Sequence, residues 1–534
     1  MLADDRGSGG AARPTSTPPI RQPRLPEWLQ RLRGIPPEAA LVGIGLFVVL
    51  AAFAAADPVT KVTDSVAPFT DEAYNVVNAR NFVSLGTFST DEWNLHLVNL
   101  PFSLLEAAAF WIFGVGMVQA RMAMILCVSL TAAALVWGLR GVVARTSATF
   151  AGLAFGFSGL VLFYGRLAFL EDLVVLGLTL GALVLARDSR LSLRGGIVSG
   201  LCFAVAIGAK PSALFAVAGI LLAMSAVWGW RDSKMRRWIA ASSAVIALAG
   251  LVWVVVIWLP NQSAVAIDAK IWPAYQWNLT PAGLFDSVKA YLTGKSDHIF
   301  GFLLLPLIGL GFAGLVAIVA LRKRLSGAQA RMAVAAFAWA AFGFGILMIA
   351  SYRPNRYVVP LVPSLAILAA IGLDVSLDWL RERRAASSDD GAAGPASGTG
   401  RTQRRLPAAL AVLAILVAVA PGLVWYGNWA RHATYDLVAI QNQFADAVPP
   451  GQMVAGGDSA LFLMRSKAKT VVVGLANKGD IYAQGARWYL LSVDNANPSD
   501  AAIPTGVPDA IWSARERVMC AAWRGGTVCL FHLP

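Results

Sequence analysis

ATFAGLAFGFSGLVLFYGRLAFLEDLVVLGLTLGALVLARDSR, residues 148–190, decides how the rest of the chain is read. Two continuous apolar runs, 148–164 and 168–186, flank a short polar break at Tyr164-Gly165-Arg166, and the second run stops at Arg187, Asp188 and Arg190. Each run approaches the roughly 20 residues a helix needs to cross the hydrocarbon layer of a bilayer. Neither alternates apolar with polar, so the spans read as helices rather than barrel strands. Arg166, Glu171 and Asp172 sit where the first run passes to the second. Ionisable residues at a span's end can simply snorkel to the interface, but acids beside an apolar run are costly enough to raise a functional question.

The same pattern recurs on both sides. The chain is 57% hydrophobic and 14% charged, with mean hydropathy +0.61, whereas a soluble domain carries about 25% charged residues. Spans are predicted at 36–56, 119–139, 148–164, 168–186, 196–209, 211–230, 238–259, 298–321, 331–350, 357–375 and 406–426. The net charge of +13 sits largely in short basic clusters between them, such as RDSKMRR (231–237), RKR (322–324) and RERR (381–384). Such clusters set orientation in a membrane rather than bind nucleic acid. They place the N-terminus inside and, after eleven spans, the C-terminal region outside, in a cytoplasmic membrane. Residues 1–35 read as a disordered cytoplasmic tail with no cleavable signal peptide; PEWLQRLRG (26–34) has the amphipathic look of a membrane-surface helix. The run LVNLPFSLLEAAAFWIFGVG (97–116) contains Pro101 and Glu106 and reads as a helix at the outer interface. If it crossed, nearly every loop would violate the charge rule.

The domain organisation is therefore a tail (1–35), a transmembrane domain (36–429) and an extracytoplasmic α/β domain (430–534). Within the transmembrane domain, 57–118 and 260–297 are outer loops, and 381–405 is a flexible cytoplasmic loop. The fold class is an all-α polytopic membrane protein of about eleven spans with this small appended domain. In the latter, YDLVAIQNQFADAVPPG predicts an amphipathic helix, and MVAGG, TVVVG and RWYLLSV predict short strands. ERVMCAAWRGGTVCLFHLP predicts a hairpin turning near Arg524–Gly526. There Cys520 and Cys529 would face each other, and a disulfide is permitted outside the cytoplasm; two buried thiols are the other reading. Cys127 and Cys202 sit inside spans as packing residues. No Cys or His spacing resembles a zinc site.

Sidedness collects the chemistry. PFTDEAYNVVNARNFVSLGTFSTDEWNLHLVNLP (68–101) opens a helix at Asp71-Glu72 with Thr70 as N-cap, and Gly86 ends it. A solvated, capped helix explains those acids as well as chemistry does until the other outer residues are added. These are Arg166, Glu171 and Asp172, Lys210 before Pro211, and Arg353, Arg356 and Tyr357 in SYRPNRYVVPLVP (351–363). A carboxylate can act as general base toward an acceptor hydroxyl or amine. Cations can hold a phosphate and stabilise the charge it gains on leaving. A second acidic pair, Asp91-Glu92, reads as a solvated loop pair or an acceptor or metal contact. Trp272, Tyr275, Trp277, Lys289, Tyr291 and Lys295 in the 260–297 loop read as an interfacial aromatic belt or a cover over the site.

These residues carry a resemblance. TDEAYNVVNARNFVSLG, HLVNLPFSLLEAAAFWIFGVGMVQARM (96–122), GRLAFLEDLVVLGLTLG (165–181), FAVAIGAKPSALF (203–215) and RPNRYVVPLVPSLAIL (353–368) resemble, in order and sidedness, the glycosyltransferase C superfamily, in its branch of protein O-mannosyltransferases and lipid A aminoarabinose transferases. The resemblance implies a membrane glycosyltransferase. Its donor would be a polyprenyl-phosphate-linked sugar, and its acceptor a protein, glycolipid or polysaccharide. It implies Asp71 as general base with Glu72 assisting, and Lys210, Arg353, Arg356 and Tyr357 at the donor phosphate. Arg80, His96, Arg166, Glu171 and Asp172 would support the site or the acceptor. A divalent cation between Asp71 and Asp172 is compatible with it but not required. The usual Pro-Pro of the first loop is here Asn99-Leu100-Pro101, a departure that bears on the acceptor. The competing readings are a transporter or flippase of lipid-linked sugars and a non-catalytic envelope assembly protein. No internal repeat is visible, and the ionisable residues gather at the outer boundary rather than mid-span, which favours the transferase.

Overall fold

The computed structural model describes residues 35–58, 71–88, 99–262, 279–293, 295–296, 299–350, 353–389, 400–471, 481–483, 485–493, 506–523 and 526–534. Contacts divide the chain after Pro36, and the elements of the fold belong to the unit from Pro37 to Pro534. Its first half runs α1 (Pro37–Ala51), α2 (Asp71–Leu85), α3 (Leu100–Phe113), α4 (Met117–Leu139), α5 (Arg145–Gly156), α6 (Gly159–Tyr164), α7 (Leu170–Arg187), α8 (Leu193–Ala209), α9 (Ala213–Met224) and α10 (Ser233–Trp253). The second half continues with α11 (Pro281–Thr293), the two-residue strands β1 (Lys295–Ser296) and β2 (Ile299–Phe300), α12 (Leu305–Ala320), α13 (Gly327–Ile349), α14 (Val362–Asp389) and α15 (Gly400–Ala430).

Three helices start at basic clusters, each on a side-chain cap. Ser192 accepts from Gly195 N before α8, and Asp232 accepts from Lys234 N before α10. Before α13, Ser326 and Gln329 form a reciprocal capping box. These caps satisfy orphan amides where each helix begins. Among the described residues, five helices are long and apolar enough to cross a membrane by themselves, and five shorter apolar ones accompany them. Burial separates central from peripheral helices: the apolar window of Asn355–Arg383 is 89% buried, that of Ala409–Ala430 17% and that of Ser233–Trp258 6%. The last two present bare apolar faces such as Leu248, Leu251, Leu413 and Leu416, surfaces suited to lipid. The protein is a polytopic membrane protein.

Several boundaries differ from the sequence expectation for identifiable reasons. The span expected at 148–164 is two helices, broken at Phe157-Ser158. There α15 comes so close that a Cβ on Gly422 would lie 2.5 Å from the Phe157 carbonyl. The 381–405 segment, expected as a flexible loop, is helical up to Asp389 and again from Gly400. The span expected from 298 becomes α-helical only at Leu305, after a 3-10 turn at Gly301–Leu304. Helix α3 has 14 residues, too short to cross a layer that needs about 20. Close helix contact elsewhere relies on small residues: a Cβ on Gly372 of α14 would meet Gly314 of α12 at 2.2 Å.

The C-terminal domain comprises α16 (Asp436–Phe444), β3 (Met453–Ala455), α17 (Ser459–Phe462), β4 (Lys469–Val471), β5 (Trp488–Val493), α18 (Asp509–Ser513), β6 (Glu516–Trp523) and β7 (Gly526–His532). Its sheet has the order β4-β3-β5-β7-β6. Strand β3 is parallel to β4 and β5, while β7 is antiparallel to β5 and β6. In the β6–β7 hairpin Cys520 lies opposite Cys529, and the two form a disulfide.

Candidate active site

Local sequence sets four charged side chains at one place. Asp71 opens α2, and the helix closes at Gly86, whose φ of 77° is open to glycine at little cost. Thr70, the expected cap, lies outside the described residues. Glu171 lies in the first turn of α7, so both acids sit at helix N-termini, where the dipole favours negative charge. Lys210 ends α8 in extended geometry, φ −151° and ψ 115°, the region forced on a residue that precedes proline. Arg356 and Tyr357 lie in a 3-10 segment, Asn355–Leu361, between the extended Pro354 and the start of α14.

The four form a chain of alternating charge. Arg356 Nη2 is 2.7 Å from Asp71 Oδ2, and Arg356 Nε is 3.9 Å from Glu171 Oε1. Lys210 Nζ donates to the same Glu171 oxygen at 2.5 Å. Aromatic rings wall the cations: Lys210 Nζ lies 3.4 Å from the centre of the Tyr357 ring, and the Arg356 guanidinium 5.4 Å from those of Tyr357 and Phe169. Side-chain exposure falls along the chain, from 35% at Asp71 to 9% at Arg356 and 2% at Glu171, with Lys210 at 15%. Asp71 is thus the open end. Burial pushes the Lys210 ammonium below the usual lysine range, and Glu171 opposes that shift.

Glu72, next to Asp71, does something different. Its carboxylate is fully buried and grips Arg121 with both oxygens, at 2.8 and 2.7 Å. It also accepts from Ala168 N at 2.9 Å. Arg121 donates further to the carbonyls of Ala54 and Ala56, both at 2.8 Å. One residue of register therefore separates a solvent-facing acid from one locked into the protein.

No protein-family model matches the sequence, and no curated protein does. Solved structures do. ArnT from Cupriavidus metallidurans bound to undecaprenyl phosphate has 16% identity and a TM-score of 0.60, over 92% of this chain and 97% of that one. The apo form of the same protein gives 16% and 0.56 over the same shares. The archaeal oligosaccharyltransferase AglB from Archaeoglobus fulgidus, in complex with an inhibitory peptide and a dolichol-phosphate, has 13% identity and a TM-score of 0.47, over 84% of this chain and 69% of that one. The chain has the fold of ArnT. The likeness to ArnT runs through the transmembrane helices and the C-terminal domain alike, since it leaves only a small fraction of either chain unmatched.

The remaining expected site residues are spread through the fold. Arg353 donates to the carbonyls of Ala350 and Gly283, both at 3.3 Å, and so ties its segment to α11 rather than joining the charged chain. Arg166 is fully buried against the carbonyls of Ala56, Asp57 and Pro58 and stacks 3.9 Å from the centre of the Trp429 ring. Arg80, also fully buried, is engaged by the C-terminal domain. Asp172 is buried, and neither carboxylate oxygen has a hydrogen-bond partner among the described residues; the same holds for Glu106. His96, Asp91-Glu92, Trp272, Tyr275 and Trp277 lie outside the described residues. Tyr291 is buried and Lys289 exposed.

Among the described residues no three His, Cys, Asp or Glu side chains converge as metal ligands. Asp71 faces the Arg356 guanidinium, and Asp172 is buried. Sequence reasoning missed Arg121. Its signal was available, an arginine in the second turn of an otherwise apolar span, where an unpaired cation is too costly to leave.

Proposed function

We propose that this protein is a membrane glycosyltransferase that moves a sugar from a polyprenyl-phosphate donor to an acceptor at the outer face of the cytoplasmic membrane, with inversion at the anomeric carbon. Asp71 is the general base. The observation that carries this reading is the Asp71–Arg356 pair at 2.7 Å, at the exposed end of the chain that continues to Glu171 and Lys210. The fold shared with ArnT supports it, as does the ligand of that protein, undecaprenyl phosphate.

The geometry supplies a mechanism through exchange of partners. In the resting site two acids and two cations neutralise each other. A donor phosphate brings negative charge to Arg356 and Lys210, which can bind it by charge-assisted hydrogen bonds in place of their carboxylates. Arg356 turning to the phosphate frees the Asp71 carboxylate. Asp71 then takes the proton from the acceptor's O–H or N–H as that atom attacks the anomeric carbon from the side opposite the phosphate. The carbon–oxygen bond to phosphate breaks, and its electron pair leaves with the polyprenyl phosphate, whose growing charge the two cations stabilise. A single displacement inverts the centre. Tyr357 shields Lys210 from water, and Glu171 keeps both cations in place until the donor arrives.

The test is sugar transfer from a synthetic polyprenyl-phosphate sugar by the purified chain in liposomes, comparing wild type with Asp71→Asn. We expect transfer in wild type and a loss of at least about 100-fold in the variant, the range of a positioned general base. A wild type that carries the intact donor across the bilayer without cleaving it is a transporter. A variant as active as wild type removes Asp71 from the chemistry.

A further inference from the structure

The helix that presents Asp71 is also held by the C-terminal domain. Arg80, fully buried, donates to the carbonyls of Ser466 and Ala468, both at 2.7 Å, and to those of Met464 at 3.2 Å and Leu463 at 3.3 Å. It also reaches Ser466 Oγ at 3.3 Å and Asn81 Oδ1 at 2.8 Å. One guanidinium thus closes the whole turn between α17 and β4. Nearly two turns of helix earlier, the Tyr74 hydroxyl donates to the Gly457 carbonyl at 2.5 Å, at the start of the same segment. Between α1 and α2 in sequence, Asp57 caps α16: it accepts from Thr434 Oγ1 at 2.6 Å and from the backbone N–H groups of Asp436 and Leu437, both at 3.0 Å. Gln441 of α16 donates to the Leu461 carbonyl at 2.7 Å, which joins this cap to the Arg80 turn.

Two sets of anchors therefore hold α2. Glu72 fastens it to Arg121 of α4, inside the membrane domain. Arg80, about 12 Å further along and about 80° around the axis, fastens it to residues 463–468. The buried face of Ala73, Val76, Val77 and Ala79 limits rolling of the helix about its own axis, and a second polar anchor at another azimuth limits it further. Asp71 is the residue such a roll would move, because its carboxylate has to meet Arg356 on one side and an acceptor on the other.

We propose that the C-terminal domain is a positioning element of the transfer site, with residues 456–468 holding the α2 helix in working register and Arg80 as the positioning residue. This rests on the reading of Asp71 as the base. It assigns the domain a role in the reaction step rather than an independent binding task. It also explains why an arginine is used: only a planar fork with five donors serves so many carbonyls at once, and a lysine cannot.

The test uses the full-length chain in nanodiscs, with Arg80→Met, Arg80→Lys and Tyr74→Phe. Hydrogen exchange is followed in 71–85 and 459–468, and kcat and donor KM are measured separately. In Arg80→Met we expect both segments to lose protection together. A misplacement of about 1 Å can cost on the order of 100-fold, and for the partial freedom to roll we expect kcat to fall about tenfold. Donor KM should not rise, because the phosphate-facing cations stand on other elements, and it falls to the extent that Asp71 loosens its hold on Arg356. Arg80→Lys should fall between Arg80→Met and wild type. If Arg80→Met does not fold, Tyr74→Phe carries the same test with an expected loss of about threefold, the worth of one neutral hydrogen bond. Three results overturn the proposal: 459–468 opening while 71–85 stays protected, both opening with kcat unchanged, or neither changing. A wild type that transfers no sugar refutes the function proposed above; the exchange data still decide whether the domain holds the helix.

Discussion

Replacing Glu72 by glutamine separates the two neighbouring acids by experiment. The Glu72–Arg121 pair is fully buried on both sides, and its guanidinium makes two carboxylate and two carbonyl contacts. Removing one charge of such a pair leaves the other buried and uncompensated, a loss of about 3–5 kcal/mol. The glutamine carbonyl can still accept one bond, from Arg121 or from Ala168 N, which offsets about 1 kcal/mol. The expected net loss is about 2–4 kcal/mol, read as a fall of several degrees in the thermal unfolding midpoint of the purified protein. Arg121→Met should cost a similar amount by stranding the carboxylate. The double variant, with neither charge left, should be more stable than the sum of the singles by about 1–3 kcal/mol. Glu72→Gln that keeps the wild-type midpoint but loses transfer would refute this reasoning and return Glu72 to a role beside Asp71 at the acceptor.

The charged chain yields three further expectations. Arg356→Met should raise donor KM by about tenfold or more, since a charge-assisted hydrogen bond is worth about 1.5–3 kcal/mol; unchanged donor KM would remove Arg356 from the phosphate. Asp71→Asn should bind polyprenyl phosphate more tightly than wild type while failing to transfer, because Asp71 competes with the phosphate for Arg356. Equal or weaker binding, measured by calorimetry or native mass spectrometry, contradicts partner exchange. Burial lowers the Lys210 pKa, so its charge is complete at low pH and is lost as pH rises through a value below the usual lysine figure of about 10.4. Donor affinity should therefore decline on the alkaline side earlier than an ordinary lysine would give. Lys210→Arg, which stays charged throughout, should abolish that decline, and a decline that persists in it belongs to another group.

The helical membrane architecture is legible in the sequence because its signal is local. Apolar runs, basic clusters and the caps Ser192, Asp232 and Ser326 all lie within a few residues of the boundaries they set. The places where expectation and structure part depend on contacts far apart in sequence. Nothing near Phe157 says that Gly422 will press against its carbonyl and divide the span. The helix ends at Asp389 and Gly400 carry a composition that reads as a flexible loop. The 3-10 segment at Asn355–Leu361 holds Pro360 within what reads as the start of a continuous span.

The site is legible in part, for the same reason. Residue type and sidedness can collect Asp71, Glu171, Lys210 and Arg356 on one face, but cannot rank them. Ranking needs exposure and partners, and those are set by pairs separated by 49 residues for Glu72–Arg121 and by 384 for Arg80–Met464. The arginines expected near the substrate divide on this point: Arg80, Arg166 and Arg353 donate to backbone carbonyls, while Arg356 is held by carboxylates. A guanidinium held by backbone carbonyls fixes the chain segments that carry them. A carboxylate-paired one can trade its partner for a phosphate at small net cost, because one anion replaces another. On the proposed reading that difference, more than position along the chain, makes Arg356 the arginine to take part in transfer, while Arg80, Arg166 and Arg353 hold its frame.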